Sequence, residues 1–273
     1  MAARSTSSGP APVIVKLGGS LLTRKREVES LRPKVLARMA RELATASGTP
    51  LVVLHGAGSF GHPGATRFAL ARAPATDRER TERTRGASIV SAEVRRLHLA
   101  VLRALVAAGV SAWSVPPSAT ARNREGRLES LEEAPYADAL GRGVVPVAFG
   151  DVVPDERWGF SILSADTLAV ELARRLRARR VVFASDVEGV LEGPAGGKRS
   201  VVPELSTELL GRLRPGAGAV DVTGGIRAKV TAMLAVAAGG ADAALISGLT
   251  DGALSRAIRG ESVYGSWAHA RAP

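Results

Sequence analysis

Short apolar runs rich in β-branched residues alternate with helix-period segments along nearly the whole chain, and the first two runs end at glycine loops. Val13 to Leu17 stops at Gly18-Gly19, and Leu51 to Leu54 runs into His55-Gly-Ala-Gly-Ser-Phe-Gly-His-Pro-Gly64. Such runs read as buried strands. Leu31, Val35, Met39 and Leu43 recur every four residues, which marks an amphipathic helix closed by Gly48. A long helix is expected from the charged stretch Asp77 to Arg85 through about Ala108. A strand near Ala112 to Val115, a hairpin around Gly126, a helix near Leu131 to Leu140 and a strand over Val144 to Phe149 follow. The second half repeats the pattern: helix from Asp166 to about Ala178, strand Val181 to Ala184, a turn over Gly193 to Gly197, helix Ile226 to Ala238, strand Ala243 to Ile246 and helix Asp251 to Arg259. This alternation predicts an α/β fold, a mostly parallel sheet covered by helices on both faces. Residues 1–12 read as a disordered tail and 13–273 as one domain, its two lobes meeting near Gly150.

Composition removes several classes of function. Cysteine is absent, which excludes a disulfide scaffold, a Cys-ligated metal and a thiol nucleophile. The net charge is +11, but the basic residues are scattered Arg, and only 4% of the chain is aromatic, so stacking platforms for nucleic acid are scarce. No apolar stretch is long enough to span a membrane, and the N-terminus has no signal-peptide core, so a cytoplasmic protein is expected. Of 37 basic residues only five are lysines: Lys16, Lys25, Lys34, Lys198 and Lys229. A chain that uses Lys so sparingly makes each position informative.

Gly18-Gly19, Gly56 to Gly61, Ser185 to Gly189 and Thr223 to Gly225 follow or flank expected strands and helices. Glycine lets backbone N–H groups approach an anion, and a following helix adds a favourable dipole. Several such loops at strand ends point to a polyphosphate ligand beyond the carboxyl ends of the sheet. Gly56 to Gly61 also fits the G-x-G-x-x-G pattern of dinucleotide-binding dehydrogenases. The acidic residue that pattern needs about 20 positions later would fall in Asp77 to Glu82, which does not resemble a strand. Gly193 to Arg199 misses the Walker A spacing by one residue and lacks its Ser or Thr. Lys16 lies inside the first strand, either snorkelling from a sheet edge or pointing at a ligand, and the adjoining glycines favour the ligand. Lys25 reads as a surface lysine beside Arg24 and Arg26 unless it serves the same loop. Lys229 falls in the first turn of a helix, within reach of a phosphate or simply exposed. His55 and His62 bracket the second glycine loop, whereas His98 and His269 read as structural or solvated. Asp166 follows Ser164 and could merely cap its helix.

Taken together, six segments resemble the amino acid kinase family, and within it the kinases that act on isopentenyl phosphate. They are Lys16 to Lys25, His55 to Pro63, Pro146 to Val153, Phe160 to Asp166, Ser185 to Val190 and Asp221 to Lys229, and they run in order over nearly the whole chain. Gly-Gly-Ser20 alone marks the superfamily, and Ser-Phe-Gly-His-Pro63 narrows it. The resemblance implies an αβα sandwich with an acceptor lobe (about 13–150) and a nucleotide lobe (about 151–273), commonly a homodimer. It implies transfer of the γ-phosphoryl of ATP, with Mg²⁺ held through the ATP phosphates rather than by a protein metal site, to isopentenyl phosphate.

The implied roles fall on named positions. Lys16, Gly18, Gly19 and Ser20 would surround the ATP phosphates, and Lys25 would stabilise the transferring phosphoryl. His62, rather than His55, would hold the acceptor phosphate, with Ala57 and Gly150 lining its site and Gly58 between the two phosphates. Asp166 would orient the lysines, while Asp186, Gly189, Gly225 and Lys229 would serve the nucleotide. Ala165, Ser185, Glu188 and Ser266 stand where the family usually carries Gly, Thr, Asp and Thr, and none removes a charged participant. A fosfomycin-type kinase shares the Gly-His loop and is the nearest rival. A NAD-dependent dehydrogenase and a non-catalytic nucleotide sensor are the rivals from other classes.

Overall fold

The computed structural model describes residues 10–24, 27–46, 48–192, 199–212 and 225–270. Lys25, the whole of the expected turn Gly193 to Gly197, the first nine residues of the expected tail and the segment 221–224 lie outside them. In chain order the first half forms β1 (Val13–Leu17), α1 (Gly19–Leu22), α2 (Pro33–Ala44), β2 (Leu51–His55), α3 (Gly58–Arg67) and α4 (Asp77–Ala107). It continues with β3 (Ala112–Ser114), α5 (Pro117–Thr120), β4 (Ala121–Arg124), β5 (Arg127–Leu131), α6 (Ala134–Gly141) and β6 (Val145–Phe149). The second half forms β7 (Asp151–Asp155), β8 (Gly159–Leu163), α7 (Ala165–Arg175), β9 (Arg180–Ser185), β10 (Leu191–Glu192) and β11 (Ser200–Val201). It ends with α8 (Thr207–Arg212), α9 (Gly225–Ala238), β12 (Asp242–Ser247), α10 (Ala253–Arg259) and β13 (Gly265–Ala268).

Seven strands build the main sheet in the order β13-β12-β9-β1-β2-β6-β3. All neighbours are parallel except β13, which runs against β12. The outer side of β13 is itself occupied: Leu205 N–H donates to Trp267 O at 2.7 Å and Trp267 N–H to Pro203 O at 2.8 Å. At the other end, β3 is the edge strand.

Successive side chains of a strand point to opposite faces, and here the two faces meet two separate cores. Val13, Val15 and Leu17 join a cluster with α2, α4 and α10 residues such as Met39, Leu97 and Leu254. Ile14 joins the opposite cluster with Leu168 and Leu172 of α7 and Met233 of α9. Lys16 is therefore aimed at the α7–α9 layer. The same alternation along β2 turns His55 toward the α4 layer, beside Leu51 and Val53. A smaller sheet, β5-β4-β7-β8, lies over a third cluster that includes Leu70, Val90, Val94 and Phe149.

Three local differences from the sequence reading have physical causes. The segment after Gly56 is helical rather than an open loop, despite Pro63 inside α3. Its glycines let α3 press against α4: a Cβ on Gly64 would lie 2.6 Å from Val90 Cγ2. Leu131 ends β5 instead of opening a helix, which starts at Ala134. The hairpin β7–β8 carries the strand-averse residues Pro154 and Asp155 and gave no strand signal. Its turn is held by the buried Asp155 carboxylate, which accepts from the N–H groups of Glu125, Gly126, Arg157 and Trp158 and from Ser161 Oγ.

The α3–α4 contact gives a direct check. Gly64→Ala should destabilise by about 1–2 kcal/mol, overpacking outweighing the better helix propensity of Ala. Combining it with Val90→Ala should cost less than the sum of the two single losses, as read by urea unfolding; strict additivity would mean that the two sites do not touch.

Candidate active site

The carboxyl ends of β1, β2, β6 and β9 lie side by side, and the loops that leave them line one cleft of about 680 Å³. The first two loops meet backbone to backbone. A Cβ on Gly56 would sit 2.7 Å from the Gly19 nitrogen, and one on Gly19 would sit 2.7 Å from Gly58 Cα. Gly58 also has φ +51°, where side chains are disfavoured. Thr23 locks the pair: its hydroxyl donates to Gly19 O at 2.7 Å and accepts from Ser59 N–H at 3.0 Å. No side chain fits between these loops, so main chain lines this side of the cleft; the N–H groups of Gly18, Gly56 and Ser59 are bonded within the protein, to Ala184 O, Leu17 O and Thr23 Oγ1. The floor of the cleft is thus made of main chain.

Its charge comes from the α7–α9 side. Lys16 Nζ lies 2.7 Å from Asp166 Oδ1, and Lys229 Nζ lies 3.1 Å from Asp166 Oδ2. Strand β1 is in the middle of the sheet and Lys16 is buried, so the sheet-edge alternative is removed. Asp166 is not the helix cap; Ser164 Oγ accepts from Thr167 N–H in that role. Burial works to raise the Asp166 pKa, but the two ammonium groups outweigh it and hold it down at about 2. Burial and the charge of Lys16 push Lys229 down to about 8, against the pull of Asp166. Lys229 also stands 5.6 Å from the centre of the Phe183 ring. The site therefore keeps two cations and one carboxylate close together.

The remaining expected residues distribute around this centre. Gly18 N–H is tied to Ala184 O at 2.8 Å, and Ser20 Oγ donates to Asp186 Oδ1 at 2.6 Å, joining the first loop to the end of β9. Ala57, Gly58, His62, Gly150, Asp186 and Gly225 all line the cleft with the two lysines. Gly189 does not; it packs below against Ser266, whose Oγ accepts from Val190 N–H. His62 extends from α3 on the same wall as Val90, Val94, Val152 and Ile162, which give that end an apolar lining. Asp151, which the sequence marks as following a strand but to which no site role was given, is a further lining residue. Its buried carboxylate accepts from Ser118 N–H at 3.2 Å and Val152 N–H at 2.9 Å and pairs with Arg95 at 3.3 Å. Burial raises its pKa against those partners. Its position right after Gly150 was the available signal.

His55 points away from the cleft and is fully buried. Its Nε2 lies 3.1 Å from His98 Nδ1, and both rings lie against Phe149. Desolvation lowers His55 to about 4 and His98 to about 3. His98 is thus a core partner of His55, and His269 lies beside Asp242 on the surface. The dehydrogenase pattern also loses its acid, because Asp77 to Glu82 is the first turn and a half of α4 rather than the end of a strand.

These geometries agree with the comparisons. The model of the amino acid kinase family matches residues 11–247. The isopentenyl phosphate kinase of Methanothermobacter thermautotrophicus is 34% identical over 264 residues, covering 93% of this chain and 97% of its own. That of Haloferax volcanii is 37% identical over 83% of this chain and 88% of its own. A solved isopentenyl phosphate kinase superposes with a TM-score of 0.81 at 31% identity, over 93% of this chain and 99% of its own. A substrate complex of an isopentenyl phosphate kinase superposes with 0.75 at 26% identity, over 94% and 100%.

The buried histidines set the acid side of the stability profile. Both have folded pKa values below the ordinary 6.5, so the unfolded chain takes up their protons first as pH falls. Stability should be intact above about pH 6.5 and decline by a few kcal/mol between there and pH 4. Urea unfolding at stepped pH measures this; a flat profile in that window would mean the rings titrate normally.

Proposed function

The chain belongs to the amino acid kinase family, and from that premise we propose that it transfers the γ-phosphoryl group of ATP to isopentenyl phosphate, giving isopentenyl diphosphate. The observation that carries this reading is the convergence of Lys16 and Lys229 on Asp166 beside two abutting glycine loops, with His62 on the same cleft. On this reading the cleft divides an acceptor lobe, about residues 13–150, from a nucleotide lobe, about 151–273.

Phosphoryl transfer asks little covalent chemistry of the protein and much positioning and positive charge. The acceptor is a phosphate whose second pKa is about 6, so it arrives as a nucleophile and needs no general base. Its difficulty is approaching another anion. In the proposed arrangement Lys16, Gly18, Gly19 and Ser20 hold the ATP phosphates, Gly58 lies between the phosphates of donor and acceptor, and His62 with Ala57 and Gly150 holds the acceptor. Asp186, Gly225 and Lys229 serve the nucleotide, Gly189 supports that loop by packing against Ser266 rather than by lining the cleft, and Lys25 neutralises charge on the moving phosphoryl. Asp166 keeps the two buried ammonium groups apart and aimed. Val90, Val94, Val152 and Ile162 offer the apolar surface that an isoprenoid tail needs and that a small polar acceptor does not. Among the described residues no group of three or more Asp, Glu or His is placed to hold a metal ion. A Mg²⁺ ion suits the chemistry through the phosphates it already binds, with at most one or two protein carboxylates; when bound it neutralises phosphate charge.

The decisive assay couples ADP release to a panel of isopentenyl phosphate, dimethylallyl phosphate, fosfomycin and uridylate. Isopentenyl phosphate should turn over well above the blank, and chelation of Mg²⁺ should abolish it; turnover of fosfomycin alone would move the assignment to the rival kinase. Lys25→Ala should lower kcat by about 100-fold or more with little change in KM for ATP. A near wild-type kcat would return Lys25 to the surface.

The same reading includes a homodimer. Leu99 and Val106 of α4 and Trp113 of the edge strand β3 are 47%, 59% and 64% exposed, an apolar surface at the open end of the sheet. Sedimentation should give a dimer and Trp113→Arg should shift it toward monomer; a monomeric wild-type protein removes this part.

A further inference from the structure

The buried histidine pair has no part in the chemistry outlined above, yet its protons can be assigned. A carbonyl oxygen only accepts, so His55 Nδ1, 3.1 Å from Gly56 O, carries a proton. In a neutral ring Nε2 is then bare. His98 Nδ1, 3.1 Å from it, must donate. That leaves His98 Nε2 bare, and it accepts the Ser114 hydroxyl proton at 2.8 Å. The chain runs in one direction only: Ser114 to His98 to His55 to the carbonyl of Gly56. Desolvation of both rings, which keeps them neutral at physiological pH, supports the assignment.

What this chain grips is one side of a peptide plane. The Gly56–Ala57 bond is trans, so holding the Gly56 carbonyl on the α4 side turns the Ala57 N–H to the opposite side. Ala57 is the residue just before α3, where N–H groups have no partner within the helix. Ala57 and Gly58 line the cleft beside His62. The His55 carbonyl meanwhile accepts from Gly150 N–H at 2.9 Å, so His55 braces two segments of that wall.

We propose that Ser114, His98 and His55 form a positioning relay that fixes the Gly56–Ala57 peptide with its N–H toward the acceptor phosphate. The identity of the anion rests on the functional reading above; the direction of the relay does not. None of the three residues touches substrate, and they act through the Ala57 amide.

The test uses the full chain with His98→Leu and His98→Asn. Leucine removes the donor to His55, and the Asn side-chain N–H₂ takes the place of Nδ1. His98→Leu should raise KM for isopentenyl phosphate about tenfold, the worth of one hydrogen bond, with KM for ATP changed less than about twofold. His98→Asn should recover most of the loss. An equal change for both substrates, or no rescue by Asn, overturns the proposal in favour of a packing role. Nitrogen-15 NMR of the wild-type imidazoles at pH 7 gives a readout that packing alone does not fix. Both rings should be Nδ1–H tautomers, and an Nε2–H or doubly protonated ring overturns the relay. If the wild-type protein does not turn over isopentenyl phosphate, the functional reading fails separately. The relay is then judged by the tautomers and by inorganic phosphate titrated against the Ala57 amide signal. Binding should weaken about tenfold in His98→Leu, and unchanged binding overturns the proposal.

Discussion

Two ammonium groups held together on the inner face of a parallel sheet repel each other, and Asp166 is what makes the arrangement tenable. Its two carboxylate oxygens take one lysine each. The three groups come from β1, α7 and α9, so the ion cluster also fixes how these elements sit relative to one another. Truncating one member of such a cluster leaves a buried charge without its counterpart, which is costly. A compact ammonium can be positioned this way and still turn toward a phosphate, whereas a guanidinium fork is planar and rigid. That distinction gives a physical reason for Lys at these positions in a chain that otherwise uses Arg.

The backbone supplies the other half of the site. Gly19, Gly56 and Gly58 bring two loops into contact at distances that exclude a Cβ. The parallel sheet puts both loops at the same end, on adjacent strands. Charge from one layer and main chain from the strand ends then converge on one cleft, while the α4 layer supports it from behind through His55 and lines it with Val90 and Val94. The cleft is a product of topology first and of side-chain chemistry second.

Much of this was legible in the sequence, for identifiable reasons. The β-branched run around Lys16 and its two glycines marked the first strand and the ligand side. That run was enough to place a lysine in a sheet, though not to say which element would answer its charge. Asp166 looked like a cap because Ser and Asp both serve that purpose; only the fold shows Ser164 capping and Asp166 turned inward. Helix α3 was hidden because Gly and Pro are poor helix formers, and its stability comes from tertiary contact with α4. Strand β7 was hidden because Pro154 and Asp155 argue against a strand, while Asp155 is held there by binding the turn's N–H groups. His98 gave no signal, since its partner lies 43 positions away.

One further consequence follows from how the main sheet ends. At β13 the outward backbone groups are already bonded to residues 203–205, whereas β3 ends the sheet with only three residues. Among the described residues, copies joining through the main sheet have one strand edge each to offer. A contact of that kind saturates after two chains and cannot propagate into a fibre. Edge-to-edge growth of the broad main sheet is thus limited by asymmetry: one border is sealed from within, and the other has room for a single partner strand.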